Sequence, residues 1–470
     1  MTFADYVIFI SFLGLTLFIG TYAGRNVKDL SQFAVGGRRY GVFALFSTLS
    51  ASYIGGGYTF GLSEKVFISG AVYILCLLGF SLQQLLVGKF LAPKMVAYRD
   101  SYSVGDIIAK HYGQTGRIIT GVASVIVCAG IIGAQVGATG YVFKLFLGID
   151  KVWGILIGCG IMIAYSIVGG MRAVVATDML QFSVLAISIP LALIFGVINA
   201  GGLGAVLQSV PVEHISFPGN LSYITMASLF LSLLLGEALV PPYVQRLFIA
   251  RNESVTRRAT IGSGLMSIPF FVCAGAVGLV ALVLSPSLDS NMALPYVIQN
   301  ALPIGLSGLA QAGIIAVVMS SADSYLNAAS IATIHDIYRP IKGDNISPER
   351  ELKLMRFATL AIGAFSVLFA LSIESVLEIL LYSYNFWSPI VLVPLVMAIL
   401  GKRISLHGFM VSGLIGVSSV LIWNMLLNGD KLWGFDGLVI GVFANFSAFM
   451  YFKCKREESS SSKVVKSESV

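Results

Sequence analysis

Apolar runs of roughly 20 residues recur along the whole chain, separated by short polar connectors, and runs of that length predict membrane-spanning helices. About thirteen can be drawn, at 5–24, 41–61, 69–91, 118–147, 152–168, 173–200, 221–238, 261–284, 305–331, 357–373, 376–400, 406–426 and 432–452. They take up nearly all of the sequence. The expectation is an all-α polytopic membrane protein with one membrane domain over 1–452 and a polar, serine-rich tail over 453–470 that is disordered and cytoplasmic. The first run has no basic leader or small-residue cleavage site, which predicts a retained helix.

Two of these runs are poor helices in the middle. In FALFSTLSASYIGGGYTFG, residues 43–61, three glycines (Gly55, Gly56, Gly57) follow Ser50 and Ser52, and each glycine costs about 1 kcal/mol relative to alanine in a helix. In LSLLLGEALVPPYVQRL the interruption is Gly236, Glu237, Pro241 and Pro242. Non-helical backbone at membrane depth survives only where protein buries it or where it lines a cavity, so such breaks point to a transport site. The two breaks lie five spans apart, which predicts two inverted five-helix repeats, at about 41–200 and 221–400, with the site between them near the midplane.

Composition agrees with the pattern: 57% of residues are hydrophobic, 11% are charged, and mean hydropathy is +0.87. A net charge of +7 raises the question of nucleic acid, but the basic residues mark one membrane side instead. With the N-terminus outside, the connectors holding Arg25, Lys28, Arg38, Arg39, Lys94, Arg99, Lys110, Arg172, Arg246, Arg251, Arg257 and Arg258 all fall inside. So do those holding Arg339, Lys342, Arg350, Lys353, Arg356, Lys402 and Arg403, together with the tail, while Lys65, Lys144, Lys151 and Lys431 fall outside. That asymmetry predicts an N-out, C-in multi-pass protein of the cell or inner membrane. Cys76, Cys128, Cys159, Cys273 and Cys454 show no metal spacing and predict no disulfide.

An acid at the bilayer centre costs about 2.5–3.5 kcal/mol on insertion scales, so each one needs a reason. Asp178, in GGMRAVVATDMLQ, is a candidate cation ligand or gate contact, or else the partner of an inner-rim arginine such as Arg172. Asp323 lies in AVVMSSADSYLNAAS, where Val317, Ser320, Ser321 and Ser324 share one helix face. Oxygens from that face and carbonyls freed at 51–54 suit a small hard cation; helix–helix hydrogen bonding by the serines is the alternative. Glu237 is a candidate solute or proton contact, or a cap. Glu374 and Glu378 read as outer-rim charges, His111, His335 and His407 as loop or inner-rim residues, and His214 as an outer-loop one. Gln83, Gln84 and Gln135 either face a cavity or hold helices together.

Over nearly its whole length the chain resembles the sodium:solute symporter family. The segments that carry this are SASYIGGGYTFG, GGMRAVVATD, AVVMSSADSYLNAAS and the connector SQFAVGGRRYG. The resemblance implies the LeuT-like inverted-repeat fold, sodium as the coupling ion, and a sodium site made by the carbonyls of Ala51, Ile54 and Val317 with the hydroxyls of Ser320 and Ser321. It also implies a second cation site at Asp178. GGGY, SSADS and YVQR look most like the high-affinity choline transporter branch, which surrounds its ligand with tryptophans; the matching positions here are Tyr53, the neighbourhood of Cys128, and Val240, so only Tyr53 keeps an aromatic face. Choline, proline, other amino acids, sugars and carboxylates stay open as solutes.

The expected pocket lies between the two breaks and the aromatic run Tyr382, Tyr384, Phe386 and Trp387, with Tyr53, Gly55, Gly56, Glu237, Tyr243 and Trp387 on the solute. The expected function is sodium-coupled import of a small organic solute by alternating access. The rivals are proton coupling, through Asp178, Asp323 or Glu237, and a solute-sensing receptor on a transporter scaffold. An intramembrane enzyme would need a nucleophile with a base, or a metal cluster, that the scarce histidines do not offer.

Overall fold

The computed structural model describes residues 2–343, 346–371, 383–427 and 433–468. Glu374, Glu378, Tyr382 and Lys431, named above, lie outside the described residues. Among those described, nine helices are long and apolar enough to cross a membrane. They include α1 (Phe3–Gly24), α4 (Val72–Leu86, running on to Tyr98), α5 (Val104–Leu147), α6 (Lys151–Gly169) and α7 (Met171–Asn199). The others are α10 (Glu253–Leu284), α11 (Leu306–Ile331, running on to Lys342), α14 (Leu406–Leu421) and α15, which is Gly437–Glu468. The remaining expected spans are the helix pair α2 and α3 (Val42–Tyr53, Gly56–Ser69), the pair α8 and α9 (Tyr223–Leu235, Pro241–Ile249), α12 (Pro348–Leu371) and α13, which is Ser383–Ile399. Counting each broken pair once, each expected span holds a helix among the described residues. The last one carries on beyond Phe452 into the serine-rich stretch.

The first break is narrower than three glycines suggest. Only Ile54 (φ −87°, ψ 35°) and Gly55 (φ −49°, ψ 162°) leave helical geometry, and Gly56 and Gly57 begin α3. Closeness is what the glycines provide: a Cβ on Gly55 would sit 2.7 Å from Ser321 Oγ, and one on Gly56 would sit 2.8 Å from both Gln135 Oε1 and Val318 Cγ2. These positions let α11 and α5 pack directly on the break.

At the second break α8 ends at Leu235, Leu239 takes the left-handed region at φ 52°, and Pro241 and Pro242 open α9, where their missing N–H groups go unneeded. The freed carbonyls are satisfied from α13. Ser388 Oγ donates to Leu235 and Gly236 at 2.8 and 2.6 Å, and Trp387 Nε1 donates to Ala238 at 3.1 Å. Trp387, expected on the solute, is a fully buried brace for this break instead.

At the centre stands α11, almost wholly buried and packed against α5 and α7. Its start is held by Asp5, whose Oδ1 accepts the N–H groups of Gly305 and Gly308 at 2.8 and 2.9 Å. Its continuation ends in an ion network: Arg117 meets Asp106 (2.8 Å) and Asp336 (3.1 Å), and His335 lies between Asp106 (3.1 Å) and Glu351 (2.9 Å). His335 is therefore buried among acids, and this network joins α5, α11 and α12. All five cysteines are free.

Candidate cation and solute site

The carbonyl of Ala51, in the last turn of α2, accepts the Ser320 hydroxyl at 3.0 Å, and the same hydroxyl lies 3.1 Å from the Val317 carbonyl. Ser321 Oγ lies 3.4 Å from the Ser52 carbonyl and against Gly55. The structure thus brings Ala51, Val317, Ser320 and Ser321 together where α11 crosses the first break. The Ile54 carbonyl accepts the Thr59 hydroxyl at 3.0 Å.

Asp178 stands one layer away and meets Arg246 rather than Arg172. The pair is 3.0 Å apart and both side chains are fully buried. The arginine that charge asymmetry assigns to the inner connectors is withdrawn into the core from α9. There its Nη2 also donates to Ser52 Oγ and Ser324 Oγ at 2.5 Å each, its Nε to the Thr48 carbonyl and hydroxyl at 3.1 and 3.0 Å, and its Nη1 to the Pro242 carbonyl at 3.0 Å. Thr48 in turn donates to Asp178. Asp323 accepts the Tyr165 hydroxyl at 2.6 Å and the Ser324 hydroxyl at 3.1 Å. One guanidinium therefore ties α2, α7, α9 and α11 at a single point.

Beside these clusters lies a small cavity lined by Ser52, Gly55, Gly57, Tyr58, Ile131, Gln135, Glu237, Ser321, Tyr325 and Tyr384. Glu237 Oε1 accepts the hydroxyls of Tyr243, at 2.8 Å, and Tyr325. The hydroxyls of Tyr58 and Tyr384 meet at 3.2 Å. Tyr53 differs from the expectation: the turn at Ile54 sends its ring toward α4, where it stacks on Phe80 (centroids 3.8 Å apart) and gives its hydroxyl to the Phe80 carbonyl, with Gln83 Oε1 at 3.1 Å. Tyr243 packs between Tyr53 and Tyr325 and meets the cavity lining through Glu237, Ser52 and Tyr325. Tyr58, Tyr325 and Tyr384, from α3, α11 and α13, are the aromatics that face it, and no spacing along the chain links them.

The sodium:solute symporter family profile matches residues 33–416. The chain belongs to the sodium:solute symporter family. Its function is therefore sodium-coupled solute symport, and its relatives are transporters rather than enzymes. The high affinity choline transporter 1 of Homo sapiens is 27% identical over 396 residues, which is 78% of this chain and 67% of that protein. The high-affinity proline transporter PutP of Bacillus subtilis is 25% identical over 456 residues, 91% of this chain and 94% of that one. A Na+-coupled sialic acid symporter, solved substrate-bound and outward-open, superposes with a TM-score of 0.84 at 22% identity, covering 95% of this chain and 97% of that one. A nucleobase–cation symport transporter does so with a TM-score of 0.56 at 14% identity, covering 93% of this chain. These two likenesses establish the LeuT-like fold.

Proposed function

We propose that this symporter imports a small organic solute held in the tyrosine-lined cavity, together with a sodium ion held by the Ala51, Ile54 and Val317 carbonyls and the Ser320 and Ser321 hydroxyls. The observation that carries the reading is the sharing of Ser321 and Gly55: both line the cavity, and both stand at the cation cluster. A solute that presses on this wall orders the hydroxyl that the ion needs, and the ion does the same for the solute, so the two bind cooperatively. The oxygens also fit the ion. A cation of calcium's size holds oxygens at about 2.3–2.6 Å, which sets neighbours at right angles roughly 3.3–3.7 Å apart. The Ser320 hydroxyl, 3.0 Å from the Ala51 carbonyl and 3.1 Å from the Val317 carbonyl, needs to move away from them only slightly to reach that spacing.

Asp178 is charge-neutralised by Arg246 in this reading, so the guanidinium takes the place that a second ion would fill. The chain sits in the cell or inner membrane with its N-terminus outside and its C-terminus cytoplasmic, and the site opens alternately to the two sides. At a potential near −100 mV each entering sodium supplies about 2.3 kcal/mol, close to fifty-fold accumulation at tenfold per 1.4 kcal/mol. Among solutes named for relatives, proline and choline are the first to test. Uptake of each into proteoliposomes under an inward sodium gradient should exceed uptake under a matched potassium gradient for the true solute. Equal accumulation in the two salts would refute sodium coupling.

A further inference from the structure

We propose that the cavity selects a solute carrying an N–H-bearing ammonium group, primary or secondary, and that Glu237 is the residue that binds it. This rests on the transport reading above and names the chemical class of its solute.

Glu237 is 3% exposed and lines the cavity. Its Oε1 is saturated by the hydroxyls of Tyr243 and Tyr325, whereas its Oε2 is fully buried and makes no well-formed hydrogen bond, the Tyr58 and Tyr384 hydroxyls near it being paired with each other at 3.2 Å. A carboxylate has acceptor sites for about four hydrogen bonds, and buried acceptors are almost always satisfied, so an orphan oxygen on a cavity wall calls for a donor. The protein supplies no cation to it. Among the described residues Glu237 is in no salt bridge, and the nearby buried guanidinium, Arg246, is engaged by Asp178, Thr48, Ser52, Ser324 and Pro242.

The backbone holds this acid in a fixed place. It lies in the non-helical stretch between α8 and α9, two residues before Leu239, whose φ of 52° is rare for a non-glycine residue. Ser388 and Trp387 pin the carbonyls on both sides of it. A carboxylate braced in this way, with tyrosine rings at Tyr58, Tyr325 and Tyr384 around it, attracts an ammonium by charge and by cation–π contact. Those two forces do not depend on methylation. The orphan oxygen does, because a quaternary ammonium has no N–H to give and leaves Oε2 as it was. A purely anionic solute would set like charge against Glu237.

The test uses the purified full-length protein and two matched pairs: ethanolamine with choline, and L-proline with N,N-dimethyl-L-proline. Apparent affinity is read from thermal stabilisation in sodium and in potassium. In at least one pair the N–H-bearing member should stabilise the protein in sodium, and its fully methylated partner should bind at least tenfold more weakly. Glu237→Gln should lose that affinity at least tenfold while sodium alone still stabilises the variant; Glu237→Asp, which keeps the charge, should preserve the ranking. A methylated member that binds as well as its partner overturns the proposal. So does unchanged affinity in Glu237→Gln, or silence of all four amines in a protein that sodium stabilises. If Glu237→Gln does not fold, the wild-type ranking decides alone. Absence of any sodium effect in wild type would instead remove the transport reading.

Discussion

Replacing Asp178 with asparagine keeps the shape of the side chain and deletes its charge. It leaves Arg246, fully buried and 3.0 Å away, without the carboxylate it pairs with directly. Breaking a buried pair by neutralising one partner costs about 3–5 kcal/mol, because the remaining charge stays desolvated. At tenfold per 1.4 kcal/mol that is more than a hundredfold in the folded population. Few other groups can take up the slack, since the same guanidinium already holds Thr48, Ser52, Ser324 and Pro242. The assay is the apparent denaturation midpoint in detergent at fixed sodium, for Asp178→Asn, Arg246→Met and the double variant. Each single variant should be strongly destabilised. The double variant should recover much of the loss, because removing both charges also removes the desolvation penalty, and the cycle isolates that coupling. Asp178→Asn with wild-type stability but weakened sodium binding would refute the reasoning and make Asp178 a cation ligand.

Three other substitutions follow from the same geometry. Gly55→Ala places a methyl 2.7 Å from Ser321 Oγ; it should destabilise the protein by about 1–3 kcal/mol and raise the sodium concentration needed for half-maximal stabilisation, and an unchanged sodium titration would count against the cage. Trp387→Phe strips the Ala238 carbonyl of its donor and should lower stability by about 1–3 kcal/mol, measured by thermal denaturation. Tyr53→Phe should lower the denaturation midpoint by freeing the Phe80 carbonyl and Gln83, yet leave solute affinity within twofold of wild type; a large loss of affinity would return Tyr53 to the pocket.

The spans were legible because lipid demands long apolar runs, and the breaks because Gly-Gly-Gly and Pro-Pro are poor helix. Helical periodicity puts Val317, Ser320, Ser321 and Ser324 on one face, whereas the choice of a sodium site there comes from the glycine break and the family resemblance. Arg246 was not legible, since counting basic residues by connector assigns every arginine to a side and cannot see one folded back from a broken helix onto Asp178. The tyrosine wall was hidden for another reason: Tyr58, Tyr325 and Tyr384 are brought together only by packing of α3, α11 and α13. Tyr53 was a natural choice by its place between Ala51 and Ile54, but adjacent residues on a helix point in different directions, and its ring leaves toward α4. The network around His335 has the same origin, as its acids come from Asp106, Asp336 and Glu351 on three helices.

Sodium binding where the Ser320 and Ser321 hydroxyls meet the first break can be measured without transport. Equilibrium binding of radioactive sodium to purified protein, compared across wild type, Ser320→Ala and Ser321→Ala with folding monitored by size-exclusion profile, addresses it directly. Sodium affinity should be at least tenfold weaker in both folded variants; wild-type affinity in either would place the ion elsewhere.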